Sequence, residues 1–147
     1  MVLRSIQNYW EIGLYFLMLN RNPIPGVQDG INALVDSGTT YIYGPSDAVT
    51  QFYTNLGGQD ASATLGPGFY TYPCNANPTV TIQLANNVIM DVSGTFNDGM
   101  VAGSTTDCVG SLVAQNSNSW ILGAKFMTTV YSVFDVSNAR IGFGVLA

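Results

Sequence analysis

Apolar residues fall in short runs along this 147-residue chain, and turn-forming residues separate the runs. Residues 9–19 are mostly aromatic or aliphatic, which predicts a buried strand. Residues 20–30 contain two prolines and two glycines, which predicts a loop. A further apolar run, residues 33–35, ends at Asp36 and predicts a second buried strand.

Two hairpins are predicted further along the chain. Residues 79–84 alternate polar and apolar side chains with a period of two, and the Asn86-Asn87 pair supplies a turn into residues 88–92. Residues 129–135 and 140–145 are two more apolar runs and predict a hairpin that closes the chain. This spacing of short strands is typical of a β domain.

One helix is clearly predicted between these strands. Ser46 occupies the position expected of an N-cap, Asp47 lies in the first turn, and Gly57 marks the end. The apolar positions follow the helical period i, i+3, i+4 and i+7, at Val49, Phe52, Tyr53 and Leu56. Residues 124–127 predict a second, short helix, whereas residues 58–73 are rich in loop-forming residues and residues 94–106 look irregular. The sequence therefore predicts a mainly β fold with one or two short helices.

The stretch with candidate chemistry follows the strand at residues 33–35. Asp36, Ser37, Gly38 and Thr39 place a carboxylate, two hydroxyls and a glycine in succession. Gly38 allows a tight turn that brings backbone N–H groups to the Asp36 carboxylate, and Thr39 is spaced to donate its hydroxyl. A carboxylate held by donors at the edge of an apolar strand is suited to act as an acid or a base. The alternative is an ordinary turn, because the same residue types also form turns with glycine at positive φ.

Composition narrows the possible functions. Only 9% of the residues are charged, the net charge is −5, and the four basic residues are scattered, which argues against nucleic-acid binding. The chain contains no histidine, which excludes Ser-His and Cys-His nucleophile pairs, and with two cysteines a metal site is not expected. Hydrolysis by this chain would have to use carboxylates. An acidic working environment is consistent with the pI of about 4.1.

Two further features concern the location of the protein. The apolar run at residues 12–19 is too short to span a bilayer, so we expect no membrane association and interpret the run as a strand. If the protein is secreted, its targeting signal is missing from this chain. The residues alone leave open whether Cys74 and Cys108 are bridged or are free buried thiols.

Several motifs occur in an order that resembles the C-terminal lobe of a pepsin-like aspartic protease. They are the start at residues 9–12, the turn at residues 36–40, Gly44-Pro45 before the helix, the two cysteines, residues 120–123 and the hairpin at residues 133–135. The resemblance covers nearly the whole chain. It implies one lobe of a bilobal fold, residues 1–147, with the N-terminal lobe absent from the chain.

The resemblance also implies a role for each residue of the candidate site. Asp36 matches the catalytic aspartate, Ser37, Gly38 and Thr39 its supporting loop, and Leu122 and Gly123 the second strand that crosses this loop. Thr40, Leu34 and Ile121 match positions that contact substrate, with core packing as the alternative for Leu34 and Ile121. The family pattern pairs cysteines at places corresponding to Cys74 and Cys108.

The implied activity is endopeptidase cleavage of a polypeptide by water activated between two aspartates, without a metal or cofactor. No other aspartate of the chain precedes Ser-Gly or Thr-Gly, so the second aspartate is expected on the N-terminal lobe. The isolated chain is then expected to be inactive. The alternatives are a noncatalytic protease-like binding domain and a homodimer that places two copies of Asp36 face to face. We expect the protein to be secreted or to lie in an acidic compartment of the vacuolar or lysosomal type.

Overall fold

Fifteen strands and four helices are present in residues 2–4, 9–27 and 31–147, which the computed structural model describes. The strands are β1 Val2–Arg4, β2 Glu11–Leu19, β3 Asn22–Pro23, β4 Ile31–Val35, β5 Ile42–Pro45, β6 Gln59–Asp60, β7 Tyr70–Pro73, β8 Val80–Leu84, β9 Val88–Asp91, β10 Asn97–Met100, β11 Asp107–Gly110, β12 Leu112–Gln115, β13 Trp120–Leu122, β14 Val130–Asp135 and β15 Arg140–Val145. The helices are α1 Ser46–Leu56, α2 Ser62–Leu65, α3 Ser93–Phe96 and α4 Ala124–Met127. The prediction of a mainly β fold is confirmed.

The strands form three sheets. The largest has the order β12-β5-β13-β4-β2-β8-β9, with β3 paired to β2 at its side. A second sheet has the order β10-β11-β7-β6, and a third has the order β1-β15-β14. Most neighbours are antiparallel, but β13 runs parallel to β4, and β12 runs parallel to β5. These two parallel pairs bring distant parts of the chain to the end of β4, where Asp36 lies.

Both predicted hairpins are confirmed. Strands β8 and β9 pair antiparallel across a 3-10 turn in which Asn86 and Asn87 both have positive φ, and β14 pairs antiparallel with β15 over their full lengths. The run at residues 12–19 lies in β2, in the middle of the large sheet. The predicted loop after it contains the two-residue strand β3, and residues 28–30 of that loop lie outside the described residues.

Helix α1 matches the predicted helix, with one correction. Val49, Phe52 and Tyr53 are buried on its inner face, and the helix ends at Leu56 before Gly57. Ser46 is the first helical residue and not the N-cap, so the predicted cap is wrong. Strand β5 continues to the residue before it, and the Ser46 hydroxyl donates to the carbonyl oxygen of Gln115 on β12 at 3.1 Å instead.

The segments predicted as loops contain regular structure. Residues 58–73 contain β6, α2 and β7, and residues 94–106 contain most of α3 and β10. Helix α4 occurs where the second helix was predicted, so the helices α2 and α3 are the two that the sequence missed. Each has four residues, which is too short to show a helical period.

Large side chains of the hydrophobic core come from β13, which pairs with β4, and from the helix that follows β13. Trp120 and Leu122 of β13 and Phe126 of α4 are fully buried. Behind them, Tyr53 of α1 stacks on Tyr70 with ring centroids 4.5 Å apart and donates its hydroxyl to the carbonyl oxygen of Leu112 at 2.7 Å. The elements that carry the candidate site therefore rest on a packed interior.

Cys74 and Cys108 form a disulfide with Cα atoms 5.0 Å apart, as the resemblance implied. Replacing both by alanine is expected to lower the free energy of unfolding by about 3–4 kcal/mol, because the bond closes a loop with a sequence separation of 34. Urea unfolding of both proteins without reductant measures the difference, and the unaltered chain with reductant should match the variant. A loss below about 1 kcal/mol would contradict the expected contribution of the bond.

Candidate active site

The Asp36 carboxylate is held at the end of β4 by donors from its own loop. The backbone N–H of Gly38 donates to Oδ1 at 2.9 Å, and the Thr39 hydroxyl donates to Oδ2 at 2.6 Å. The backbone N–H of Asp36 donates to the carbonyl oxygen of Leu122 at 3.1 Å, which ties the loop to β13. Each carboxylate oxygen thus has a defined partner, and the side chain has little freedom to rotate.

These bonds favour the ionised form of Asp36. The Thr39 hydroxyl, and after it the Gly38 N–H, lower the pKa of the carboxyl below its ordinary value of 3.8, while partial burial acts in the opposite direction. The chain therefore presents a fixed carboxylate that is ionised at neutral pH.

A side chain at Gly38 would crowd the Asp36 carboxylate. Gly38 does not adopt a positive φ, which the alternative of an ordinary turn would have used. A Cβ atom at Gly38 would lie 3.2 Å from Asp36 Oδ1, a tight contact on the side from which the N–H donates. A side chain at residue 38 would therefore require the Asp36 carboxylate to shift by a few tenths of an ångström.

Strand β13 crosses the loop between the two strands that flank it. It pairs parallel with β4, where Ile121 is opposite Leu34, and antiparallel with β5, where Leu122 is opposite Ile42. The chain then passes beneath the loop at Gly123, and the N–H of Ala124 donates to the carbonyl oxygen of Thr39 at 2.7 Å. Both ends of the Asp36 loop are thereby fixed to one segment from elsewhere in the sequence.

A cleft of about 460 Å³ opens beside the loop. Its lining residues are Gly38, Thr39, Thr40, Tyr41, Tyr43, Gln115 and Ile121, none of which carries a charge at neutral pH. Two of the three predicted substrate-contacting residues, Thr40 and Ile121, line this cleft. Leu34 is half-buried and is not among the lining residues, and Ser37 is exposed near the tip of the loop.

The sequence prediction missed Tyr41, Tyr43 and Gln115. A signal for the two tyrosines was present, because Tyr41 and Tyr43 alternate with the buried Ile42 and must therefore face the other side of the strand from it. No local signal marks Gln115, which reaches the cleft because β12 pairs with β5. The cleft thus combines a local segment with one more than seventy residues away along the chain.

The described residues contain no group of three or more His, Cys, Asp or Glu side chains suited to hold a metal ion. No helix in the described ranges is long and apolar enough to cross a membrane.

Comparison with known proteins shows the family of this chain. The family model for eukaryotic aspartyl protease matches residues 1–146, and the chain belongs to this family. An aspartic protease of Phaffia rhodozyma is 39% identical over 140 residues, which cover 92% of this chain and 34% of that protein. Major aspartyl peptidase 1 of Cryptococcus neoformans var. grubii is 33% identical, over 97% of this chain and 31% of that protein.

Most of this chain also matches about a third of a mammalian relative. Cathepsin E of Oryctolagus cuniculus is 34% identical over 146 residues, which cover 92% of this chain and 35% of that protein. The chain thus spans about a third of the length of the curated relatives it matches, 34% of the first of them.

Proposed function

We propose that this chain is the C-terminal lobe of a two-lobed aspartic endopeptidase and that Asp36 is one of its two catalytic aspartates. The observation that carries the proposal is the Asp36 carboxylate, fixed by Gly38 and Thr39, two residues that also line an uncharged cleft. Ser37, Gly38 and Thr39 are the supporting loop, and Leu122 and Gly123 are the segment that holds it. Membership of the eukaryotic aspartyl protease family supports the assignment.

The proposed reaction is hydrolysis of a peptide bond by general acid–base catalysis. Two carboxylates about 3 Å apart cannot both ionise easily, so they share one proton. The ionised carboxylate takes a proton from water as the water oxygen attacks the carbonyl carbon, and the protonated one donates to the carbonyl oxygen. When the resulting tetrahedral intermediate collapses, the C–N bond breaks, the amine leaves with a proton from the pair, and one hydroxyl of the intermediate returns its proton to the pair as the carboxylic acid forms. Asp36 is one member of the pair, and the missing lobe supplies the other.

The second lobe is the proposed partner because the chain leaves apolar surface uncovered. Strand β14 is at the edge of its sheet, and its hairpin with β15 carries exposed side chains. They are Tyr131, Val133, Phe134, Val136 and Val145. Exposed apolar side chains concentrated on one hairpin support an interaction with another protein segment at this place. The polypeptide substrate would lie between the lobes, over Thr40 and Ile121, with Leu34 further back.

The low charge, the low pI and the disulfide support secretion or location in an acidic compartment of the vacuolar or lysosomal type. Carboxylate pairs that share a proton also work at acidic pH, which agrees with such a compartment.

The test is a two-lobed chimera. This chain replaces the matching segment of the Phaffia rhodozyma aspartic protease, and cleavage of denatured haemoglobin is measured between acidic and neutral pH. We expect the chimera to cleave at acidic pH, and the isolated chain, confirmed as a monomer by sedimentation, to show no cleavage.

Three outcomes would contradict the proposal. A folded but inactive chimera would favour a noncatalytic binding domain. Cleavage by a verified monomer of the isolated chain would contradict the need for a second lobe. Activity that rises with the square of the concentration of the isolated chain would indicate a homodimer with two copies of Asp36.

A further inference from the structure

A carboxylate far from Asp36 in sequence joins the two segments that meet at the candidate active site. Asp98 of β10 accepts the Tyr41 hydroxyl on Oδ2 at 2.9 Å and forms an ion pair with Lys125 through Oδ1 at 2.6 Å. The proposed catalytic role of Asp36 does not use these three residues. We call them the Asp98 cluster.

Each partner of Asp98 belongs to a segment of the site. Tyr41 directly follows Thr40 in the loop after Asp36, and Lys125 lies in α4, two residues after Gly123. The two segments already share backbone hydrogen bonds, from the N–H of Lys125 to the carbonyl oxygen of Thr40 at 2.9 Å and from that of Gly123 to the carbonyl oxygen of Tyr41 at 3.2 Å. Asp98 therefore adds side-chain bonds at the place where the loop and α4 meet.

We propose that Asp98 is a positioning residue for the Asp36 loop, holding Tyr41 and Lys125 together so that Thr39 stays in place to donate to Asp36. The bond from Thr39 Oγ1 to Asp36 Oδ2 and the bond from Ala124 N to the Thr39 carbonyl oxygen form the path from the cluster to the carboxylate. The importance of this role for catalysis rests on the proposed function. The effect of the cluster on the pKa of Asp36 can be measured in a chain that has no enzymatic activity.

The surroundings of the cluster support a local role. The side chains of Lys125 and Asp98 are 25% and 24% exposed, and ion pairs at such positions usually contribute little to global stability. The charged acceptor raises the pKa of the Tyr41 hydroxyl, as expected for a direct bond to a carboxylate. The Tyr41 ring also packs edge-on against Phe69, with centroids 5.1 Å apart, and lines the cleft. Its hydroxyl bond thus fixes a wall of the cleft as well as the end of the loop.

The first test measures the pKa of Asp36 by NMR titration of the carboxyl carbon in the 147-residue chain. Asp98→Ala is expected to raise this pKa towards its ordinary value, because a looser loop weakens the Thr39 and Gly38 bonds to the carboxylate. The direction of the pKa change distinguishes a looser loop from a simple loss of charge. Removal of a nearby negative charge alone would lower the pKa of Asp36.

Tyr41→Phe provides a second variant that changes no charge and removes only the hydroxyl. It is expected to raise the pKa of Asp36 as well. The variant with both Asp98→Ala and Tyr41→Phe should raise this pKa no more than the more effective single substitution does, because both act through one hydrogen-bond network. The matched control is Asp135→Asn, which breaks an ion pair of the same 2.6 Å length with Arg140 in the closing hairpin. It should leave the pKa of Asp36 unchanged.

The second test uses the chimera. Asp98→Ala and Tyr41→Phe are expected to lower kcat about 10-fold, with a smaller change in KM, because misplacement of a catalytic group slows the chemical step. An unchanged or lowered Asp36 pKa in both variants would overturn the positioning role, as would a change in KM alone. An inactive chimera combined with the expected pKa rise would instead overturn the proposed function and leave the positioning role intact.

Discussion

Asp36→Asn is expected to lower the kcat/KM of the two-lobed chimera by about 10³-fold or more, because a positioned acid or base contributes about 10²–10⁴-fold. Asparagine keeps the shape of the side chain and can still accept a bond from Gly38 or Thr39. It cannot take the proton of the attacking water. The measurement is kcat/KM for a peptide substrate at the pH of maximal activity.

Asp60→Asn is the matched control for this change. Asp60 accepts a backbone N–H from Ser62, two residues later, at 2.7 Å, just as Asp36 accepts that of Gly38 at 2.9 Å. The pKa of Asp60 is lowered chiefly by its backbone bond, and that of Asp36 by the Thr39 hydroxyl and then by the Gly38 N–H. Asp60 lies on β6, outside the cleft. Its variant should retain full activity. Equal activity of the Asp36→Asn and Asp60→Asn chimeras would contradict catalysis by Asp36.

Local patterns predicted much of the fold correctly. The buried face of α1 follows from the spacing of Val49, Phe52 and Tyr53, and the hairpin of β8 and β9 follows from strict alternation with Asn86 and Asn87 at the turn. These elements are long or have turn residues of defined conformation, so the information lies within the segment itself.

The missed elements depend on partners elsewhere in the chain. Strands β10, β11 and β12 have four residues each and contain glycine, aspartate or glutamine, so their sequences show little strand character. They are strands because β11 pairs with β7, β10 with β11, and β12 with β5. The wrong N-cap has a similar cause, because Gln115 of β12 offers the Ser46 hydroxyl a different acceptor.

The candidate site likewise combines features that the local sequence predicts with features that depend on distant parts of the chain. The bonds from Gly38 and Thr39 to Asp36 lie within four residues and were expected from the sequence. The crossing by β13 was expected only through the resemblance, because parallel pairing with β4 has no signal in either segment. The bond between Tyr41 and Asp98 spans 57 positions and had no signal of any kind. Side chains that support a site from a distance are visible only in the folded chain.

Gly123→Ala is expected to reduce the free energy of unfolding by about 3–5 kcal/mol, because the cost of a steric clash adds to the cost of lost hydrogen bonds. Gly123 has φ −83° and ψ −160°, a conformation open to any residue, so the requirement for glycine here is steric. A Cβ atom would lie 2.5 Å from the carbonyl oxygen of Thr39 and closer still to that of Tyr41. Both atoms are backbone and accept hydrogen bonds from the segment that Gly123 begins, so the loop has to move away.

The matched control is Gly94→Ala, because Gly94 has no atom within 4 Å of a Cβ position and also lacks a positive φ. Its substitution is not expected to destabilise the chain, because Gly94 lies in α3 and alanine is favoured over glycine in a helix by up to about 1 kcal/mol. Urea unfolding compares the two variants, and NMR titration of Asp36 in Gly123→Ala, if the variant folds, should show a raised pKa, since displacement of Thr39 removes the main bond that lowers it. If Gly123→Ala were as stable as Gly94→Ala and kept the low pKa of Asp36, the crossing segment would not be what holds the carboxylate in place.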